Sequence, residues 1–453
     1  MGIFKVSNFA SAFLPAIIET DDPQNIQQYD MFNLVKPKTV FDVISRLYPT
    51  EYDPFNAIPN GYYKEFGYYI GLFNIIDLSA LYDNKIAKNV WEVGRKKILA
   101  LPYVTSPDGI FSVTKSLWRA PLYFTSTYWT RQLIGADKAN AQGFNGEGVT
   151  TIVIDTGGTK FNRQTPQLQK HTAMYGNDVD SIGHGEWCAS CIAGRTVTDD
   201  TFTALERRPV VCEGIAQACN IVEIKALDYV EGSGTDAELI RALSLALQYG
   251  ADVISCSWGG SENIKSPEED PFYKPLQTLV DNDVIPVFAA GNSGPQPMTL
   301  GSPGWLPQAL TVGSYNAVDN SQVSSFGPAG EVSNFSSRGP TPWGDIKPDT
   351  VAPGAIIDSG ITGWMMGSYT GIVHPFQAIA GTSMATPHIA GLVTLMRQAH
   401  RQLLGLTLTV NEVKEILKSS GIQKTNDYGW GPLTWDLYTN YLSTQYGVTL
   451  TST

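Results

Sequence analysis

The sequence predicts an open α/β sandwich, a central and mostly parallel sheet with helices on both faces, preceded by a smaller N-terminal region. Three observations carry this. From Val149 onward the short apolar runs TTIVID, NIVEIKAL, ADVISCS and DVIPVFAA alternate with helical segments, as expected of parallel strands buried on both faces and joined by crossover helices. Thr235 with Glu238 makes a capping box for a helix over 236–249. The length, 453 residues with 43% apolar content, exceeds one ordinary core, so one large domain plus a smaller partner is the natural division. The boundaries read as residues 1–125 for the N-terminal region, 126–445 for the large domain and 446–453 for a C-terminal tail.

Composition excludes several partners. A net charge of −12 with no basic run argues against nucleic acid or an anionic membrane surface. No run of about 18 apolar residues exists to span a membrane. Phe9 to Ile18 is mildly apolar after Lys5, but Asn8, Ser11 and Pro15 interrupt it. It reads as no secretory leader, which favours an intracellular protein without fixing the compartment. Five cysteines do not make a disulfide scaffold. Cys188 and Cys191 form a CxxC on an apparent helix with no second pair for zinc, so packing is the simpler reading; Cys212 and Cys219 flank a turn and are candidates to pair.

In chain order, the Tyr62–Phe73 stretch mixes glycine and aromatics in no clear period. From Asp83 the i, i+4, i+7 spacing of Ile86, Val90 and Val93 predicts a helix. LPYV, a turn at Pro107-Asp108-Gly109 and the strand-like GIFSV follow. At Trp129 to Gly148 the segment TRQLIGADKANAQGFNGEG reads as a linker, a helix and a glycine-rich turn, where the large domain starts.

The chemistry-bearing residues sit where strands end or helices begin. Asp155 closes IVIDTGG, leaving a carboxylate at the carboxyl rim of the sheet, where α/β folds bind ligands; alone, such an Asp is as readily a turn residue. His184 lies between glycines just before a helix, in DSIGHGEWCASCIAG. Gly381 to Gly391, GTSMATPHIAG, is a turn of small residues opening onto a helix with Ser383 in its first turn, where unpaired backbone N–H groups and the helix dipole suit an oxyanion. A lone Gly-Thr-Ser is more often an ordinary cap. Ile389, Leu392, Val393 and Met396 give that helix an apolar face.

The full GTSMATPHIAG string resembles the nucleophile signature of the subtilisin-like serine proteases, the subtilases. The order Asp155, His184, Ser383, each in its own extended motif, is similar to that family's Asp…His…Ser order. SNFSSRGP (Ser333–Pro340) and KPDTVAPG (Lys347–Gly354) extend the resemblance over roughly residues 129 to 440. It implies a subtilisin-like three-layer sandwich and a serine endopeptidase acting on a peptide or protein. His184 would be the base, Asp155 its orienter, Ser383 the nucleophile, and Asn292 in FAAGNSG an oxyanion donor together with the Ser383 N–H. Gly232-Ser233-Gly234 resembles the edge against which a substrate lies as an added strand. Ser257-Trp258-Gly259 and Ala289-Ala290-Gly291 resemble the two sides of the pocket for the residue before the scissile bond, which implies a preference for large apolar residues. Glu186 and Trp187 depart from the commoner Thr-His after the histidine. No cofactor is needed for this chemistry, and the calcium sites frequent in the family have no recognisable ligand cluster here. The helix, turn and final strand before residue 125 faintly resemble the end of a subtilase propeptide, with Lys115–Tyr128 able to run along the groove as an added strand; a structural extension is the alternative. The other reading of the whole chain is a catalytically silent module on the same fold.

Overall fold

The computed structural model describes residues 13–28, 61–74, 81, 86–98, 125–158, 164–174, 178–180, 182–198, 210–228, 232–317, 326–355, 357–360 and 376–450. Its N-terminal part comprises β1 (Phe13–Glu19), α1 (Pro23–Gln27), β2 (Gly61–Tyr63), β3 (Tyr68–Asn74) and β4 (Asn89–Glu92), the strands forming an antiparallel sheet of order β2-β3-β1-β4. Side chains alternate across it. Ala16, Ile18, Tyr69 and Phe73 form a small core with Ile26, Leu81 and Ala87, while Ile17, Tyr68 and Ile70 point the other way into the main body. The aromatic stretch over 62–73 is thus a hairpin, and the turn at 64–67 breaks its period.

The helix expected around Ile86, Val90 and Val93 is replaced, in its described part, by β4, with Val90 opposite Ile18. The spacing fits a strand equally well: Ile86 and Val90 reach the small core and Val93 the large one, on the opposite face. Pairing with the open edge of β1 decides between them. The segments LPYV, Pro107–Gly109 and GIFSV lie outside the described residues. Beyond β4 the chain gives β5 (Arg95–Ile98), which leaves this sheet and enters the body.

The body runs β6 (Thr125–Ser126), α2 (Thr127–Leu133), α3 (Ala136–Ala141), β7 (Thr150–Asp155), β8 (Gln169–Thr172), α4 (His184–Ala193), β9 (Val197–Thr198), β10 (Val211–Cys212), β11 (Asn220–Lys225), β12 (Ser233–Thr235), α5 (Asp236–Gln248), β13 (Val253–Cys256), β14 (Trp258–Gly259), α6 (Tyr273–Asp281), β15 (Ile285–Ala289), β16 (Leu310–Tyr315), β17 (Thr350–Pro353), β18 (Ile357–Gly360), β19 (Phe376–Ile379), α7 (Thr382–Leu404), α8 (Val410–Lys418) and α9 (Trp435–Tyr446). Seven of these strands make one parallel sheet, order β17-β16-β15-β13-β7-β11-β8. Along β7 the side chains alternate between two cores. Val153 joins the α4 and α7 side, Ile152 and Ile154 the α5 and α6 side. This is the three-layer α/β arrangement that the run-and-helix pattern predicts.

The capping box forms as read: Glu238 N donates to Thr235 Oγ1 (3.3 Å) and Thr235 N to Glu238 Oε2 (2.8 Å). The N-terminal sheet packs on the α5 and α6 layer, where Ile17, Tyr68 and Ile70 share a core with Leu239, Leu243, Phe272 and Leu276. Ser244 Oγ donates to Glu65 Oε1 (2.6 Å) and Trp91 Nε1 to the Glu269 carbonyl (2.7 Å) across this contact. At the other terminus Gly447 closes α9, and Val448 and Leu450 pack against the core. No disulfide joins Cys212 to Cys219: all five cysteines are buried thiols.

Candidate active site

Asp155 ends β7, His184 opens α4 and Ser383 lies in the first turn of α7. Parallel strands deliver Asp155 to the carboxyl rim, and both helices start at that rim, so three residues far apart in sequence meet at one end of the sheet. His184 Nδ1 donates to Asp155 Oδ1 (2.7 Å), which also accepts from Thr156 N (2.7 Å). That bond leaves Nε2 as the basic atom, and it is buried with no hydrogen-bond partner among the described residues. Ser383 Oγ donates to the Ser257 carbonyl (2.8 Å), while Ser257 Oγ donates back to the Ser383 carbonyl (2.9 Å). Cys188, one turn after His184, joins the two halves. Its Sγ lies 3.8 Å from the Ser383 carbonyl oxygen and within 4.8 Å of ligand atoms of Asp155 and His184.

Asn292 sits in the loop after β15, beside the same helix start. Its Oδ1 accepts from Thr382 N (2.9 Å) and Thr382 Oγ1 (3.0 Å), and Gly291 N donates to Thr382 Oγ1 (3.2 Å). The FAAGNSG loop is therefore tied to the residue preceding Ser383. Ser257, Ala289, Ala290, Gly291, Asn292 and Ser383 thus gather around one end of α7.

A sequence model of the subtilase family matches residues 146–431. The chain belongs to the subtilase family. Among curated relatives it is 33% identical to the serine protease AprX of Bacillus subtilis over 64% of this chain and 64% of that protein. It is 29% identical to pyrolysin of Pyrococcus furiosus over 57% of this chain and 20% of that one, and 30% identical to subtilisin-like protease 2 of Pseudogymnoascus destructans over 55% and 52%. In each case the match spans less than two thirds of the relative's own length.

A strand lies between the two segments that resemble the substrate edges of subtilases. β12, which contains Ser233 and Gly234 and follows Gly232, and β14, Trp258–Gly259, flank β5 in a three-stranded antiparallel sheet of order β12-β5-β14. Ser233, Gly234 and Thr235 pair with Lys97, Lys96 and Arg95; Trp258 and Gly259 pair with Ile98 and Lys97. Of the Lys115–Tyr128 segment considered for this position, residues up to 124 lie outside the described set, Thr125–Ser126 pairs with β18, and α2 follows. Gly234 lets β12 lie close to the sheet: a Cβ there would fall 2.1 Å from the Ala226 carbonyl oxygen.

Trp258 does not present its ring to the Ser383 side. Successive strand residues face opposite ways, so with Ser257 turned to Ser383 the indole turns inward, donates to the Ile154 carbonyl (2.9 Å) and packs on Phe272 and Phe288. Trp187 is likewise core. Glu186 is buried, its N donating to Asp180 Oδ2 (3.2 Å).

Two site-supporting residues escaped the sequence reading. Glu223, on β11, accepts from Gly157 N (3.1 Å), just past Asp155. α4 starts directly over it, since a Cβ on Gly185 would stand 1.8 Å from Glu223 Oε1. Burial, then the charges of Asp180, Asp155 and Glu186, push the Glu223 carboxyl well above its ordinary value. Lys225 Nζ donates to the Thr156 and Val179 carbonyls (2.7 and 2.9 Å) and pins the loop after Asp155. The available signal was an acid and a base inside an otherwise apolar parallel strand, NIVEIK. As for metals, the tightest cluster among the described residues is Asp155, His184 and Cys188. Burial raises the Cys188 thiol well above its ordinary value, and His184 Nδ1 is already engaged with Asp155 Oδ1.

Proposed function

We propose that this subtilase is a serine endopeptidase working through Asp155, His184, Ser383 and Asn292. The observation that carries the reading is the His184–Asp155 bond at 2.7 Å, which leaves a basic Nε2 in a buried site shared with Ser383. In the reaction the Ser383 hydroxyl rotates from the Ser257 carbonyl toward His184 Nε2, gives up its proton there, and attacks the peptide carbonyl carbon. The imidazolium is stabilised by Asp155 and returns the proton to the leaving amine; water then cleaves the acyl-enzyme by the same relay. The oxyanion receives hydrogen bonds from the Asn292 amide and the Ser383 N–H, the latter at the positive end of a 23-residue helix. The residue before the scissile bond is large and apolar in preferred substrates, because Ala289, Ala290 and Gly291 offer a cationic side chain no counter-ion.

A fluorophosphonate probe should label Ser383 in the wild type and not in Ser383→Ala. The variant should keep its fold and lose on the order of 10⁶ in kcat, the scale known for subtilisin's own triad serine. Cleavage-site mapping on a peptide library reads the pocket in the same preparation. Retention of more than about a tenth of the activity in Ser383→Ala, or a strict Arg or Lys preference before the scissile bond, would sink the corresponding part.

We further propose that the N-terminal region is a guard whose β5 holds the place of substrate. It is supported by β5 bonding through its main chain to the two segments that resemble the family's substrate edges.

A further inference from the structure

Resting on that endopeptidase reading, the geometry points to a lysine-selective substrate subsite formed by Asp236 and Glu262, three residues upstream of the residue at the scissile bond. Lys96 of β5 currently occupies it. Its neighbours on the strand, Arg95 and Lys97, are both exposed, but Lys96 is 1% exposed. Its Nζ meets Asp236 Oδ1 at 2.9 Å and Glu262 Oε1 at 2.5 Å, with the Phe272 ring centroid 5.5 Å away. The stem passes tightly over β14's end, where a Cβ on Gly260 would lie 2.8 Å from Lys96 Cδ.

Asp236, Glu262, Gly260 and Phe272 all belong to the enzyme body, so they remain when β5 departs. Asp236 is the first residue of α5, where the helix dipole favours its negative form. It is buried, and its second oxygen accepts from Gly94 N (2.9 Å), a bond that also leaves with the N-terminal segment. With both partners gone water reaches Asp236, and an uncharged side chain closing the pocket again would bury the carboxylate unpaired, whereas a lysine restores the pair. Burial alone would lower the Lys96 ammonium, but the carboxylates of Asp236 and Glu262 outweigh it and hold it above its ordinary value.

The register places the subsite. β5 is bound on both sides by main-chain pairing, which any extended peptide can reproduce. Trp258 pairs with Ile98 and Gly259 with Lys97, and Ser257, whose carbonyl accepts from Ser383 Oγ, comes one step earlier. A substrate in the same register sets the residue facing Ser257 at the nucleophile and its third upstream neighbour in the Lys96 position.

The test uses the full-length chain, expressed and allowed to process itself, with two internally quenched peptides identical except at that upstream position. One carries lysine and the other norleucine, and mass spectrometry fixes the scissile bond. The expected kcat/KM is at least about tenfold higher for lysine, the scale of one charge-assisted hydrogen bond. Asp236→Asn should bring the ratio within about threefold on the same grounds. Should that variant not fold, Glu262→Gln, whose parent side chain is 31% exposed, should still lower the ratio by about threefold or more. Equal or faster cleavage of the norleucine peptide overturns the subsite and leaves the endopeptidase reading standing. Failure to cleave either peptide, with Ser383 unlabelled by the fluorophosphonate, overturns both.

Discussion

Asn292 is tied to the start of α7 through its carbonyl oxygen: Oδ1 accepts from both Thr382 N and Thr382 Oγ1, which fixes the side chain beside the residue that precedes Ser383. Asn292→Ala should therefore cost roughly 10²–10³ in kcat with KM little changed, the loss known for an oxyanion donor of subtilisin. Steady-state kinetics check it, and a change confined to KM would make Asn292 a shaper of the cleft only. His388, in the same signature, has a different job. It is fully buried; its Nδ1 donates to the Met384 carbonyl (2.7 Å) and its Nε2 accepts from Thr130 Oγ1 (2.6 Å). Burial lowers it to about 4, only partly opposed by the Met384 bond, while in the unfolded chain it sits near its ordinary value of about 6.5. Between those values the unfolded chain binds a proton that the folded one does not, so stability falls as pH drops through this window and is unaffected above it. The advantage of wild type over His388→Gln in urea unfolding should shrink by roughly 1.4 kcal/mol per pH unit below about pH 6.5. A constant difference from pH 7.5 to pH 4.5 would show that His388 does not titrate this way.

At the scale of elements, what could be read was what local rules decide. The α5 capping box and the strands β7, β11, β13 and β15 follow from a cap pattern and from apolar runs bounded by turns. Where tertiary pairing overrides local period the reading failed. β4 was expected as helix because Ile86, Val90 and Val93 suit both periods, and only the open edge of β1 selects the strand. Arg95-Lys96-Lys97-Ile98 carries three charges in four residues and reads as solvated surface. It becomes a central strand because β12 and β14 supply unpaired main-chain groups on both sides and Asp236 and Glu262 supply the counter-charge.

For the whole molecule, the N-terminal region is held in two ways: its Ile17, Tyr68 and Ile70 face shares a core with α5 and α6, and β5 pairs with β12 and β14. If it is a guard cut in cis, the purified active enzyme should carry a new N-terminus beyond β5, while Ser383→Ala stays at full length. Intact mass and N-terminal sequencing decide this. An enzyme that keeps residues 1–98 and digests substrates would make the region a permanent domain. The sequence by itself determined the α/β class, the order Asp155, His184, Ser383, and the small-residue turns that carry them, because these depend on near neighbours and on motifs that survive as text. Only the tertiary structure decided that Trp258 turns inward, that Glu223 lies buried beneath Gly185, and that Lys96 fills an acidic pocket. Each of those depends on which distant segment lies across the strand, and burial, not residue type, sets the cost of leaving a charge unpaired.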